Sequence, residues 1–160
     1  MEKYSCCFSG HRKLEREETE SLKKALLPVI LELVQRGIYC FYAGGALGFD
    51  MLAAEAVQQA KRYDPRIRLI LVLPCKNQEK YWNKQACVRY NRIKEAADDV
   101  IYTSEVYFSG CMHQRNRYMI DHSTCCVCYL VHDSGGTKYT VDYCRKKGKQ
   151  VINLAAMEEI

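Results

Sequence analysis

Two glycine-bearing segments set the chemistry this chain can perform: "GGALGFD" from Gly44 to Asp50 and "SGGT" from Ser134 to Thr137, each running into a stretch of helical periodicity. A residue without Cβ lets a ligand approach the backbone amides. A helix start adds unpaired N–H groups and positive potential, so a phosphate is the natural guest of such a loop. Gly44, Gly45 and Gly48 form one such loop, and Gly135 and Gly136 the other, flanked by the hydroxyl donors Ser134 and Thr137. The alternative for either loop is a tight strand-to-helix turn with glycine there for packing. Two together predict one ligand with more than one anionic group, or a sugar phosphate spanning both. Neither loop has the G-x-G-x-x-G or G-x-x-x-x-G-K-[ST] spacing, which disfavours dinucleotide oxidoreductases and P-loop nucleoside triphosphatases.

Further candidates recur in the same kind of place, just past an apolar run. Ser9, Gly10, His11 and Arg12 form "SGHR", suited to anion binding or proton transfer, or to contacts with backbone and acidic partners. Asp50 can bond a ribose hydroxyl or cap the helix it begins. Arg115, Asn116 and Arg117 open another helix; the arginines, two apart, point in different directions, so one can clamp a phosphate while the other packs elsewhere. Gln78 and Trp82 lie in "NQEKYW", where the single tryptophan can stack on a base or cap the sheet edge. Met112, Tyr118 and Met119 read as packing residues. The basic run 145–149, "RKKGK", reads as a helix C-terminus complementing the macrodipole and closed by Gly148.

These segments need elements to hold them. Apolar, β-branched or aromatic runs at 4–8, 38–43, 67–73, 99–103, 125–131 and 150–154 alternate with helical patterns at 18–35, from 49, at 89–97, 114–123 and 139–147. Strand and helix in strict alternation predict an α/β fold with a mostly parallel sheet and helices on both faces, because parallel neighbours need crossovers. In such a sheet the loops after the strands gather at one edge. "SGHR", "GGALGFD", "PCKNQEKYW" and "HDSGGT" then face one crevice.

Composition sets the outer bounds. With 160 residues, 48% of them hydrophobic and 27% charged, the chain is expected to form a single domain over 1–160. No run approaches the ~20 apolar residues of a membrane span, and the start lacks a secretory signal, so a soluble, cytoplasmic protein without a membrane partner is expected. Six of the ten cysteines, Cys6, Cys7, Cys40, Cys125, Cys126 and Cys128, lie in apolar runs and read as reduced core residues. The Cys125–Cys128 spacing would begin a zinc site only with a matching pair. In a strand the two side chains point to opposite faces, so no metal is expected. A formal charge of +5 permits an anionic ligand.

In this order, "FSGHR", "GGALGFDMLAAEAV", "NQEKYW", "QRNRYMIDHS" and "SGGTKYTVDY" resemble the YpsA-like group of the SLOG superfamily, which joins the DprA/Smf domain to the LOG phosphoribohydrolases. The resemblance runs from about Tyr4 to Leu154. It implies a single Rossmann-like domain with a pocket for a nucleotide or nucleotide-derived ligand, in a sensing or signalling role, with no bound cofactor. Gly44, Gly45, Gly48 and Asp50 match the glycine-acid loop of DprA-like domains, Arg115, Asn116 and Arg117 their "RNR" segment, and Gly135, Gly136 and Thr137 their glycine-threonine turn. Two alternatives come with it: LOG-like hydrolysis of a nucleoside monophosphate, and DprA-like binding of single-stranded DNA. The LOG loop ends in a catalytic Glu, where this chain has Thr140 and Val141 and no acid before Asp142; Asp50 or Asp121 would have to substitute. Association into a homo-oligomer is expected on general grounds.

Overall fold

The computed structural model describes residues 4–157. Strands β1 (Ser5–Gly10), β2 (Cys40–Ala43), β3 (Arg68–Leu73), β4 (Asp99–Tyr102), β5 (Cys125–Tyr129) and β6 (Gln150–Asn153) alternate with helices α1 (Arg16–Gln35), α2 (Phe49–Ala60), α3 (Lys84–Ala96), α4 (Cys111–Asp121) and α5 (Gly136–Lys146), and a short α6 (Leu154–Met157) ends the series. The strands join in the order β4-β3-β2-β1-β5-β6, and every pairing is parallel. The fold is therefore an α/β, Rossmann-like one, as the alternation of segments implies.

Side chains alternate across the sheet and define two cores. Cys6 and Phe8 of β1 join Phe41, Leu69, Leu71 and Val127 beneath α1, α2 and α3, which contribute Leu26, Ile30, Ala53, Val57, Tyr90 and Ile93. Cys7 joins Tyr42, Ile70, Val72, Cys126 and Cys128 on the opposite face, under Met119 and Ile120 of α4 and Val141 and Cys144 of α5. Central strands buried on both faces need apolar residues throughout, which is why "CCVC" and "LILVL" lack polar alternation. Cys125 and Cys128 fall in different cores, on opposite sides of the sheet.

Helix starts lie earlier than the apolar periodicity alone marks them. Asn83 caps α3 by accepting from the Ala86 amide at 2.8 Å. α4 and α5 each follow a glycine with positive φ, Gly110 or Gly135, and their first turns bury only the small residues Cys111 and Thr137, short of the large apolar side chains that mark the later turns. Glu15 and Glu18 cap α1 reciprocally, and Gly148, at φ +73°, follows the last turn of α5 with its Arg145 and Lys146. Among the described residues, no helix is long and apolar enough to cross a membrane.

Candidate functional site

Strand order reverses between β1 and β5, so the loops leaving these two strands diverge to opposite faces and open a crevice at the carboxyl edge of the sheet. A cavity of about 200 Å3 occupies this position. The β1–α1 loop brings Ser9, Gly10, His11 and Arg12 to it, α2 brings Asp50, α4 brings Arg115 and Asn116, and α5 brings Gly136 and Thr137. Nine residues singled out from the sequence thus meet here, from four separate connections.

The first glycine loop is filled by the protein itself. A Cβ on Gly44 would lie 2.6 Å from the Arg115 guanidinium and 2.8 Å from Asp50 Oδ2; one on Gly48 would lie 2.3 Å from the Arg12 carbonyl oxygen. Gly45 backs onto Leu73 and Tyr90. Asp50 accepts from the Ala46 amide at 3.3 Å, closing the turn, and Phe49 N donates to His11 O at 3.1 Å, binding the start of α2 to the β1 loop. Burial pushes the Asp50 carboxyl above its ordinary range, an effect the neighbouring Arg115 opposes.

Arg115 is a buried tether. Its Nη1 donates to Gly44 O at 2.5 Å and to Val72 O at 3.1 Å, so one side chain of α4 holds the ends of β2 and β3. Its Nε donates to Asn116 Oδ1 at 2.8 Å, which leaves the Asn116 NH2 as that amide's donor. Burial lowers the Arg115 pKa and Asp50 partly restores it. Arg12, by contrast, is exposed, and its side chain makes no ion pair among the described residues.

The opposite wall is open. Nothing lies within 4 Å of where a Cβ would stand on Gly135 or Gly136, so the side-chain space at the start of α5 is open. Thr140 turns its hydroxyl back to Gly136 O at 2.9 Å. His11 accepts from the Val131 amide through Nε2 at 3.1 Å, joining the β1 and β5 loops, with its ring 4.5 Å from that of His132. Burial, then His132, lowers the His11 pKa from 6.5. His113 packs on Tyr139 with ring centroids 4.1 Å apart, and its Nδ1 is buried with no partner. Asp50 is the single acid in this lining, beside the donors Ser9, Arg12, Asn116 and Thr137.

The remaining sequence candidates lie elsewhere. Arg117 donates to Tyr139 Oη at 2.9 Å, Asp121 accepts from Tyr143 Oη at 2.8 Å, and neither lines the cavity. Ser134 and Gly135 precede the cavity wall. Trp82 packs edge-on against Tyr90, with centroids 5.2 Å apart. Gln78 lines a second, larger cavity of about 650 Å3 that shares Arg12 and Met112 with the first. Three contributors escape a reading of sequence alone. Met112 and His113 sit one turn before the "RNR" segment, and the β4–α4 loop, with Val106 and Tyr107, walls the second cavity. Its apolar run "VYF" between polar residues was the available signal.

Comparison with known proteins places this chain in a family. The family model YpsA, of the YspA SLOG family, matches residues 6–158. The SPbeta prophage-derived protein YoqJ of Bacillus subtilis is 34% identical over 138 residues, spanning 78% of this chain and 81% of its own length. A UPF0398 protein of Halalkalibacterium halodurans is 31% identical over 132 residues, 81% of this chain and 70% of that one. Among solved structures, DNA processing protein A (DprA) from Streptococcus pneumoniae superposes with a TM-score of 0.69 at 18% identity, over 92% of this chain and 49% of that one. The Helicobacter pylori protein of the same name, solved for its single-stranded DNA binding mode, gives 0.65 at 20% identity, over 92% and 63%. This chain thus spans about half to two thirds of those proteins, and at such identity they share its fold. With the family model matching residues 6–158, the chain belongs to the YspA SLOG family.

Proposed function

We propose that the crevice binds the phosphate of a nucleotide or nucleotide-derived ligand. The observation that carries this reading is the open start of α5: no protein atom fills the space beside Gly135 and Gly136, and Gly136 lines a cavity whose other walls offer His11, Arg12, His113 and Asn116. Unpaired helix amides and a partnerless cation are the recurring means of holding an anion. Arg12 supplies the charge, because Arg115 is committed to Gly44 and Val72. The one carboxylate in the cavity, Asp50, is neutralised by Arg115 alongside it. The role is binding: Thr140 and Val141 stand where a hydrolase of the LOG type has its acid, and Asp142 is paired with Lys138 at 2.6 Å.

The test is calorimetry of the purified chain against mono-, di- and cyclic nucleotides, ribose 5-phosphate and inorganic phosphate, with Arg12→Ala and Gly136→Val alongside. Binding that both substitutions abolish is expected. Unchanged binding in both variants removes the phosphate from this crevice.

A second reading, single-stranded DNA, draws on the DprA-like fold and on Tyr81 and Tyr107, exposed rings beside Lys76 and Lys80 that suit stacking along a strand. Oligonucleotide affinity that falls by orders of magnitude between low and physiological salt, with no response to mononucleotides, selects it.

A further inference from the structure

Away from the crevice, the three helices that cover one face of the sheet frame a groove. α2 packs against both α1 and α3 and is buried along most of its length. A cavity of about 560 Å3 lies among the three, with Lys23 of α1 on one side, Lys84, Val88 and Arg92 of α3 on the other, and Glu55 of α2 and Arg89 of α3 between them. It has no lining residue in common with the crevice at α5.

The charge of this groove is one-sided. Glu55 is the one acid in its lining, and Arg89 takes both carboxylate oxygens, Nε donating to Oε2 at 2.9 Å and Nη2 to Oε1 at 2.5 Å. That fork is neutral as a pair and ties α3 to α2. Lys84 and Arg92 are exposed and make no ion pair among the described residues, and Lys23 approaches Glu20 only at 3.8 Å. Lys84 is also the first residue of α3, where the macrodipole favours an acid, and that turn holds none. Helix stability therefore gives no reason for a cation there.

Spacing turns these residues into one row. Lys84, Val88 and Arg92 recur every four positions and so lie one above another along α3, about 12 Å from end to end. The same helix sends Tyr90 and Ile93 into the core. In the middle of the row Val88 is 49% exposed, an aliphatic side chain held in water between two free cations.

We propose that this groove docks an acidic amphipathic segment of a partner protein, its apolar side chain seated on Val88 and its carboxylates over Lys84 and Arg92. Charge complementarity fixes the sign of the partner, and the four-residue row fixes its pattern: a helix with acid, apolar residue and acid at the same interval. Nucleic acid fits less well, because no aromatic side chain lines the groove to take a base. The surface is separate from the phosphate crevice and does not depend on what that crevice binds.

Fluorescence anisotropy of the full chain with a labelled helical peptide, carrying glutamates four residues either side of a leucine, tests this. The peptide is expected to bind at low salt and to weaken as salt is added. Lys84→Glu combined with Arg92→Glu, both at exposed positions, is expected to cut affinity about tenfold or more. Val88→Ser is expected to weaken the peptide with every charge in place. Replacing the peptide's leucine by serine should cost affinity in the wild type and little more in Val88→Ser, the coupling that direct contact produces. Saturating ribose 5-phosphate is not expected to displace the peptide, and displacement would move it to the crevice and overturn the proposal. Absence of binding, or binding that survives the charge reversal, overturns it as well. So does an oligothymidylate that binds more tightly than the peptide and is lost in the same charge-reversed variant, which makes the groove a nucleic-acid surface. A concentration-dependent dimer in sedimentation velocity that the charge reversal abolishes gives the groove to a second copy of the chain instead, again overturning it.

Discussion

Asp50 and Arg115 converge on a single point: the place a Gly44 Cβ would occupy lies 2.8 Å from Asp50 Oδ2 and 2.6 Å from Arg115 Nη1. Both residues are buried, at 6% and 3% exposure. Removing the carboxylate leaves a guanidinium in the interior without a counter-charge. Asp50→Asn is therefore expected to lower stability by about 3 kcal/mol, measured by urea denaturation. Adding Arg115→Met should recover part of the loss, and strictly additive effects would show that the two charges do not interact.

The glycines separate into two classes by the same geometry. Gly44→Ala drives a methyl group into the buried pair and is expected to destabilise by about 2 kcal/mol or more. Gly136→Ala enters open space at the first turn of α5 and should hold or raise the melting temperature, with a gain of up to about 1 kcal/mol. Its phosphate affinity should fall nonetheless. Thermal melts paired with calorimetry separate the two effects, and equal destabilisation by both substitutions would contradict the packing described.

His11 makes stability depend on pH with a definite sign. Burial and His132 depress its folded pKa below 6.5, so between that depressed value and 6.5 the unfolded chain binds more protons than the folded one. Stability is then constant above this window, declines as pH falls through it, and levels off below the folded value. Protonation at Nε2 also costs the hydrogen bond from Val131. Denaturation midpoints from pH 7.5 to 5 should show this fall in the wild type, and His11→Gln should flatten it.

Thiol reactivity offers an independent test of the core. Nine of the ten cysteines are buried and Cys87 is half-buried. Burial raises the Cys128 pKa to about 12, which removes the nucleophilic thiolate at neutral pH. A disulfide reagent should titrate about one thiol in the folded protein and all ten in denaturant. Rapid reaction of several thiols in the native state would contradict the burial.

The architecture was legible because its signals are local: each strand is a run of apolar residues, each helix a period, and the alternation fixes parallel crossovers. The loops after β1, β2 and β5 announced themselves by glycine and that after β3 by charge, whereas the β4 loop did not, being polar and aromatic without glycine motifs before Gly110. What the glycines do was not legible. Gly44 and Gly136 look alike in sequence, and only the distant residues Arg115 and Asp50 decide that one is filled and the other open. Likewise, two arginines two apart announce opposite directions, but which one is buried depends on carbonyls of β2 and β3 lying 71 and 43 residues away. Trp82 settles on Tyr90 because the fold supplies a ring there.

Arg115 holds the ends of two strands while its neighbour Asn116 faces the crevice, so the scaffold and the pocket share a segment of chain. In a deep mutational scan this position would register as intolerant in an expression screen that never presents a ligand. Selection acting on such a protein would remove Arg115 variants for failing to accumulate before they were ever scored on what they bind. On the proposed phosphate reading, divergence of ligand preference would be channelled instead toward Arg12, whose exposed side chain can change without unfolding the molecule.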